Sequence, residues 1–461
     1  MALKEFQDSS RSIFHMPGNL GGRTYSEEFA RGYASLDTTE LRPTGNVLTS
    51  EGPVALAEAA YNKLSGAGQT MFITQGSTTG IYAALATACK PGEKLYLPRT
   101  VHFSIIRAAA LLDLELAFLP LQEADLALPI VDQANSLHLL EKACNPKVLL
   151  CSPDYYGRCL DIEKFAEVCH DRSGLLIVDE AHGAHLAAGF DFLPKSSLRQ
   201  GADIVVSSLH KTLPALTGAA VLQLNERITA EFNEAARQAL KLFHSTSPSF
   251  PIAASSDWAR AYLELGEERL KRLLEAIEYL RENLPDNFSL YEAPLDLDPL
   301  HLLICFDSYV RPATVENCLG QKRIYAEMFG LNNFLCLLSV ATEPDSLKLL
   351  AAELAKIELD NDQELAGLET ALKSAYLCEP QIEISVREAL LVRAKEARLL
   401  PLKELVGRVS MDIVAPYPPG LALLYPGQLI KKEHIQLIED LLAAGFELSG
   451  VLDGKVKALV D

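Results

Sequence analysis

Leu175-Leu176-Ile177-Val178-Asp179-Glu180-Ala181-His182 is an apolar run that closes on an acid. A short apolar run of this kind reads as a buried strand, and its closing acid then stands at the strand's carboxyl end. Further along, Ser207-Ser208-Leu209-His210-Lys211-Thr212 places hydroxyls, a histidine and a lysine just beyond a second such run. Together the two stretches supply what an aldehyde cofactor needs. A lysine can form a Schiff base, a buried carboxylate can keep a ring nitrogen protonated, and hydroxyls with a histidine can gather a phosphate. That combination is the pyridoxal 5'-phosphate pattern.

Working outward, short apolar runs alternate with helical patterns from about residue 53 to 225. Strands are predicted at 71–74, 94–97, 116–119, 147–152, 175–179, 203–207 and 219–224, and helices at 53–64 and 80–89 between them. This alternation predicts an α/β fold, a mainly parallel seven-stranded sheet with helices on both faces. Ligands gather at the carboxyl ends of the strands in such sheets. Asp179, Ser207 and Ser208 stand there, as does Thr74-Gln75-Gly76-Ser77-Thr78-Thr79-Gly80, which opens a helix. Residues 1–45 have many turn formers and little periodicity, and read as an extended N-terminal arm. The large domain is then 46–290, and 255–284 is predicted as one long helix leaving it. Residues 291–461 mix strands (301–306, 335–339) with helices (345–357, 364–376, 386–397) and read as a smaller C-terminal α+β domain. Pro416-Tyr417-Pro418-Pro419-Gly420 is a rigid turn within it.

A chain of 461 residues predicts two or three domains with large cores. Its formal charge of -19 argues against nucleic acid, which rewards basic patches, and tolerates a cationic substrate or product. The apolar runs are short and broken by charges, so no membrane span is expected. The N-terminus lacks the apolar core of a signal peptide. Nine dispersed cysteines, with no close Cys-x-x-Cys pair, predict reduced thiols in the cytoplasm rather than disulfides or a zinc site.

Each motif has a plainer reading beside the chemical one. Val178-Asp179-Glu180-Ala181-His182 also matches the acidic strand of a helicase-type ATPase, but no Gly-rich loop ending in Gly-Lys-[Ser/Thr] accompanies it. Asp179 could merely cap a helix. A lone lysine is usually a surface residue, yet Leu213, Pro214, Ala215 and Leu216 follow Lys211, and burial would favour the neutral amine that attacks an aldehyde. Gly76, Ser77 and Thr78 at a helix start suit an anion, although serine and threonine are also ordinary caps. His102 follows the strand at 94–97, where an imidazole can stack on a pyridine ring; alone, it is more often structural. His182 and His185 are three apart, but no third ligand stands out and no metal is expected.

At this point the chain resembles the bacterial ornithine/lysine/arginine decarboxylase family, in a short form without the N-terminal wing domain. The resemblance runs over nearly the whole chain. It is carried by Phe14-His15-Met16-Pro17-Gly18, Asp37-Thr38-Thr39-Glu40-Leu41, Gln75-Gly76-Ser77-Thr78-Thr79-Gly80-Ile81, Asp179-Glu180-Ala181-His182-Gly183-Ala184-His185, Leu209-His210-Lys211-Thr212-Leu213-Pro214-Ala215-Leu216-Thr217, Thr246-Ser247-Pro248-Ser249-Phe250 and Pro416-Tyr417-Pro418-Pro419-Gly420. It implies an aspartate-aminotransferase-like fold (fold type I of pyridoxal phosphate enzymes) and a homodimer or higher oligomer with active sites at the interface. Carried over residue by residue, Lys211 would bind the cofactor, Asp179 would pair with the ring nitrogen and His102 would stack on the ring. Ser77, Thr78, Ser208 and His210 would hold the phosphate, and His182 would lie beside the cofactor. The chain departs from the family pattern at Asn19 and Leu20, at Phe103 after the stacking histidine, around Pro43-Thr44-Gly45-Asn46, and at Gln428, where a glutamate is usual.

The reaction so implied is decarboxylation of lysine, arginine or ornithine to a polyamine-type product and CO2. Two rivals stay open on sequence: another pyridoxal phosphate reaction, such as an acyl-transferring synthase or an aminotransferase, and a drifted paralogue that binds cofactor and regulates. With glutamine at 428, the distal cation of a basic substrate needs another acid, Glu40 or one from a partner subunit. Phe14, Met16 and Tyr33 on the arm are expected to pack across a two-fold axis.

Overall fold

The computed structural model describes residues 12–20, 23, 25–27, 32–293 and 295–460, with Ala34 by its backbone alone. A short strand, β1 (Ser12–Phe14), precedes the main sheet. That sheet contains β2 (Gln69–Ile73), β3 (Lys94–Pro98), β4 (Glu115–Leu119), β5 (Lys147–Cys151), β6 (Leu175–Asp179), β7 (Ile204–Ser208) and β8 (Ala220–Leu224). Its order is β2-β8-β7-β6-β5-β3-β4. β8 runs antiparallel to both neighbours, and the remaining pairs are parallel. The strands formed where apolar runs predicted them because they are buried on both faces, which demands near-continuous apolar sequence; Leu176, Ile177, Val178, Ile204, Val205 and Val206 are all fully buried.

Helices α1 (Pro53–Ser65), α2 (Ser77–Ala88) and α3 (Phe103–Leu112) follow the pattern, with the start of α2 three residues earlier than expected. Lys211 lies on a single turn, α4 (Leu209–Thr212), that leaves β7 directly. The long helix predicted at 255–284 is two helices, α5 (Phe250–Glu264) and α6 (Glu267–Glu282). The break is at Leu265-Gly266. A side chain at Gly266 would meet the carbonyls of Tyr262 and Leu263 at 2.9 and 3.0 Å, so glycine permits the chain to turn where helical periodicity alone would continue it.

After α6 come β9 (Phe288–Leu290), β10 (His301–Phe306), β11 (Ile324–Ala326), β12 (Met328–Phe329) and β13 (Asn333–Leu337). β9, β10, β13 and β12 form an antiparallel sheet in that order. The helix predicted at 386–397 is instead a wide turn at Glu388–Val392, a tighter one at Ala394–Glu396, and a strand, Ala397–Pro401, paired with Lys455–Leu459. Leu391 and Val392 are 46% and 65% exposed there. Of this stretch only Val386 and Ala389 are buried, too narrow an apolar face to hold the longer helix, and strand pairing takes its end.

The arm is more structured than its composition suggested. β1 pairs in parallel with β11, and Phe14 is fully buried in its own chain's core. Phe14 is thus unavailable for packing across a two-fold axis; Tyr33, on a short turn at Tyr33–Leu36, is 43% exposed. Residues 1–11 and parts of 21–31 fall outside the described residues. Among the described residues, no helix is long and apolar enough to cross a membrane.

Candidate active site

The carboxyl ends of β2, β3, β5, β6 and β7 open on one cavity of about 430 Å³, within the range of small-molecule sites. Register brings the ends level: Cys151 of β5 is paired with Asp179 of β6, and Asp179 with Val206 of β7. Gly76, Ser77, Thr78, His102, Asp179, His182, Ser208, His210 and Lys211 all line it. A wider cleft of about 870 Å³ lies along α6, walled by Lys271, Glu275, Glu278 and Arg281. Lys271 and Arg281 there are paired with neighbouring glutamates on the exposed helix face, which marks a solvated surface.

Lys211 Nζ lies 2.9 Å from His182 Nε2. Burial pushes the Lys211 amine toward its neutral form, while Asp179, Glu327 and Cys151 oppose that shift. Asp179 is buried and accepts from the Ala181 N–H at 3.1 Å. Burial raises its pKa, and Lys211 and that N–H pull it back.

The anion end is formed by the start of α2. Gly76 takes a positive φ of 81°, and nothing lies within 4 Å of where a side chain would stand. The approach to the helix N-terminus and its unpaired N–H groups is therefore open. The Ser208 hydroxyl donates to Ser77 Oγ at 2.7 Å, which ties β7 to α2. His210 Nδ1 is 2.9 Å from the Ala219 carbonyl, so that nitrogen carries a hydrogen. Burial lowers the His210 pKa to about 4. Neutral, its other nitrogen only accepts; donating to a phosphate requires the anion itself to raise that pKa. A half-buried lysine, a buried acid and an open helix N-terminus on one cavity fit pyridoxal phosphate.

His102 caps α3: its Nδ1 accepts from the Ser104 N–H at 3.2 Å, which leaves the neutral ring's hydrogen on Nε2. Burial first, then Lys211 and Arg107, hold its pKa down to about 3. A neutral imidazole is what stacking on a cationic ring requires. Phe103 packs on His102 with centroids 4.1 Å apart and carries Arg107 over its face. The arm also contributes. The Gly18 N–H donates to the His210 carbonyl at 2.6 Å, and Asn19 Nδ2 donates to the Ala215 carbonyl at 3.1 Å, so Asn19 braces the lysine's loop.

One further departure, at Gln428, resolves into structure. Gln428 is buried, accepts from the Tyr425 N–H and does not line the cavity. Glu40 does not line it either. His185, paired with His182 on sequence, is fully buried and bonds to Asp298 at 2.9 Å. Glu180 turns from the cavity to accept the Ser197 N–H.

Sequence reasoning missed four residues. Glu327, between β11 and β12, lines the cavity and accepts from the Met16 N–H at 2.9 Å and the Tyr155 hydroxyl at 3.2 Å. Tyr155 packs edge-on against His182, with centroids 5.0 Å apart. His301 Nε2 is 3.2 Å from His182 Nδ1, and Asp298 is 2.8 Å from His301 Nδ1. The strand-end rule that found Asp179 would have found Tyr155 after β5, and an acid inside the apolar stretch at 324–329 was a signal for Glu327. Nothing local marked Asp298 or His301.

Residues 1–293 match the Orn/Lys/Arg decarboxylase major domain, and 369–447 the C-terminal domain of the same family. The chain is 29% identical to the Bacillus subtilis protein YaaO, over 100% of this chain and 97% of that one. It is 27% identical to the arginine decarboxylase of Bacillus subtilis, over 98% and 94%. The solved constitutive lysine decarboxylase of E. coli superposes with a TM-score of 0.79 at 19% identity, covering 100% of this chain and 81% of that one.

Proposed function

Because the chain belongs to the Orn/Lys/Arg decarboxylase family, and so is a pyridoxal phosphate-dependent carboxy-lyase, we propose that its substrate is a basic amino acid (lysine, arginine or ornithine) and that the residues around Lys211 carry the reaction. Bound pyridoxal phosphate supplies a sink for the electron pair left when CO2 departs. The chain supplies the rest. Lys211 would hold the cofactor by its aldehyde and free the product amine. Asp179 would keep the ring nitrogen protonated, and His102 would lie against the ring. Gly76, Ser77, Thr78, Ser208 and His210 would hold the phosphate. Lys211 or His182 returns the proton that replaces the carboxylate at Cα. Orienting the bond to be broken, rather than attacking it, is the protein's main task.

The observation that carries the basic-substrate reading is Glu327, a carboxylate on the wall of the cavity held by an N–H and a hydroxyl. Burial raises its pKa. A substrate cation would offset that cost, whereas a neutral substrate would leave the burial uncompensated. The test is CO2 release across a panel of amino acids. Lysine, arginine or ornithine should exceed leucine and glutamate, and Glu327→Gln should raise KM for the basic substrate by roughly a hundredfold, about 3 kcal/mol. If only neutral amino acids react, the basic-substrate reading fails.

The same reading makes the protein a cytoplasmic homodimer. It divides the chain into an arm (1–45), a cofactor-binding domain (46–290) and a small α+β domain (291–461). Tyr33 and Leu41, 43% and 54% exposed on the arm, support a covered surface there, and nine cysteines free of disulfides suit a reducing compartment.

A further inference from the structure

We propose that Asp298, His301 and His182 form a buried proton relay to Lys211, with Asp298 and His301 as positioning residues for the proton that decarboxylation consumes. The proposal rests on the reading of Lys211 above, but its geometry stands apart from any substrate. Four side chains make one continuous path. Lys211 Nζ meets His182 Nε2 at 2.9 Å, His182 Nδ1 meets His301 Nε2 at 3.2 Å, and His301 Nδ1 meets Asp298 Oδ2 at 2.8 Å. Asp298 Oδ1 is held by His185 Nε2 at 2.9 Å and by the Leu300 N–H at 3.1 Å. His301, Asp298 and His185 are at most 1% exposed.

The donors fix the direction of the chain. Burial works to raise the Asp298 carboxyl, but His185 and His301 outweigh it and hold it well below the usual carboxylate range, so it accepts from both. His301 therefore carries hydrogen on Nδ1, and its Nε2 sets what His182 does. With His301 neutral, that Nε2 accepts from His182 Nδ1–H, and His182 Nε2 presents a lone pair to the Lys211 ammonium. If Lys211 then gives its proton to His182 Nε2, His182 passes its Nδ1 proton to His301 Nε2. Lys211 Nζ and His182 Nδ1 each lose one N–H bond, and His182 Nε2 and His301 Nε2 each gain one. The result is a neutral Lys211 amine, a neutral His182 and an imidazolium at His301 bonded to Asp298. No proton leaves the protein, and reversal returns it to Lys211 for delivery to Cα after CO2 has gone. His182 conducts rather than stores, since burial, Lys211 and His301 all disfavour charge on it. The other groups facing this path are Asp179, Cys151, Glu327 and His102 around Lys211, Tyr155 and His210 around His182, and Glu180 and Cys159 around Asp298.

The test begins with full-length protein freed of cofactor and labelled with 15N at histidine. Imidazole nitrogens are followed by NMR, and Lys211 by the pH dependence of its reductive methylation. The relay expects the tautomer of His182 and the reactivity of Lys211 to change with one shared midpoint, and Asp298→Asn to separate the two by at least about one pH unit. Separate midpoints in the wild type, or an unchanged Lys211 midpoint in the variant, overturn it. A second variant serves if Asp298→Asn does not fold. His301→Ala in the holoenzyme should lose roughly 10²–10³-fold in turnover, with imidazole restoring activity and pyrrole, which fills the same space but accepts no proton, failing to do so. Equal rescue by pyrrole, or no loss at all, overturns the relay. A shared midpoint in a protein that decarboxylates nothing would sink the decarboxylase reading and leave the relay standing.

Discussion

Lys211 must reach its aldehyde as a free amine, and its surroundings pull both ways. Burial favours the neutral form, and the carboxylates of Asp179 and Glu327 favour the charged one. Pyridoxal phosphate followed by borohydride should fix the label on Lys211; modification of a different lysine in saturated protein would remove the assignment. Asp179 has a separable duty. Asp179→Asn should lower turnover by about 10²–10³ while the cofactor stays bound, because the substitution touches the ring nitrogen and not the phosphate end at Gly76, Ser77 and Ser208. Near-normal turnover in that variant would exclude Asp179 as the ring's partner.

At the scale of elements, strand ends hold the chemistry because register holds the strands. A one-residue slip of β6 against β5 would turn Asp179 to the opposite face. The arm locks onto α4 through Gly18. A side chain there would come within 2.8 Å of the Leu213 carbonyl, and the Gly18 carbonyl accepts from Ser339. α1 and β2 are joined by a buried acid, Glu58, which accepts from the Phe72 N–H at 2.9 Å. Burial raises its pKa from 4.5 to about 7. In the unfolded chain the carboxyl loses its proton near 4.5, so the folded state binds more protons between there and about 7. Stability therefore falls as pH rises through that window. Glu58→Gln should remove its part of that dependence, which Glu180, also raised to about 7 by burial, shares, and raise stability above pH 7 by up to about 3 kcal/mol, read as the difference in Tm between pH 5 and pH 8. A variant with the wild-type pH slope would rule out Glu58 as its source.

For the whole molecule, the relevant surface is the arm. Phe14 is spent inside the chain, which leaves Tyr33, Leu36 and Leu41 exposed. Leu41→Asp should weaken a homodimer and, with it, activity. Sedimentation at falling concentration is the measurement, and a fully active wild-type monomer would defeat the dimer proposal. The formal charge of -19 should also make association with a cationic substrate faster at low salt than at high salt.

The seven strands and the pairing of a strand-end acid with a lysine were legible residue by residue, since double burial demands apolar runs and a sheet delivers their carboxyl ends to one rim. The helix break at Gly266 and the loss of the helix at 386–397 were not, because local periodicity carries no information about which face finds a core. The contacts that join Glu327, Tyr155 and His301 to the site were invisible for a different reason. His182 meets His301 across 119 residues, Tyr155 meets Glu327 across 172, and Met16 meets Glu327 across 311. Contacts over such separations leave no spacing to read; they exist because β1 pairs with β11 and because 298–301 bonds to His182 and His185 in the segment after β6, and folding alone decides both.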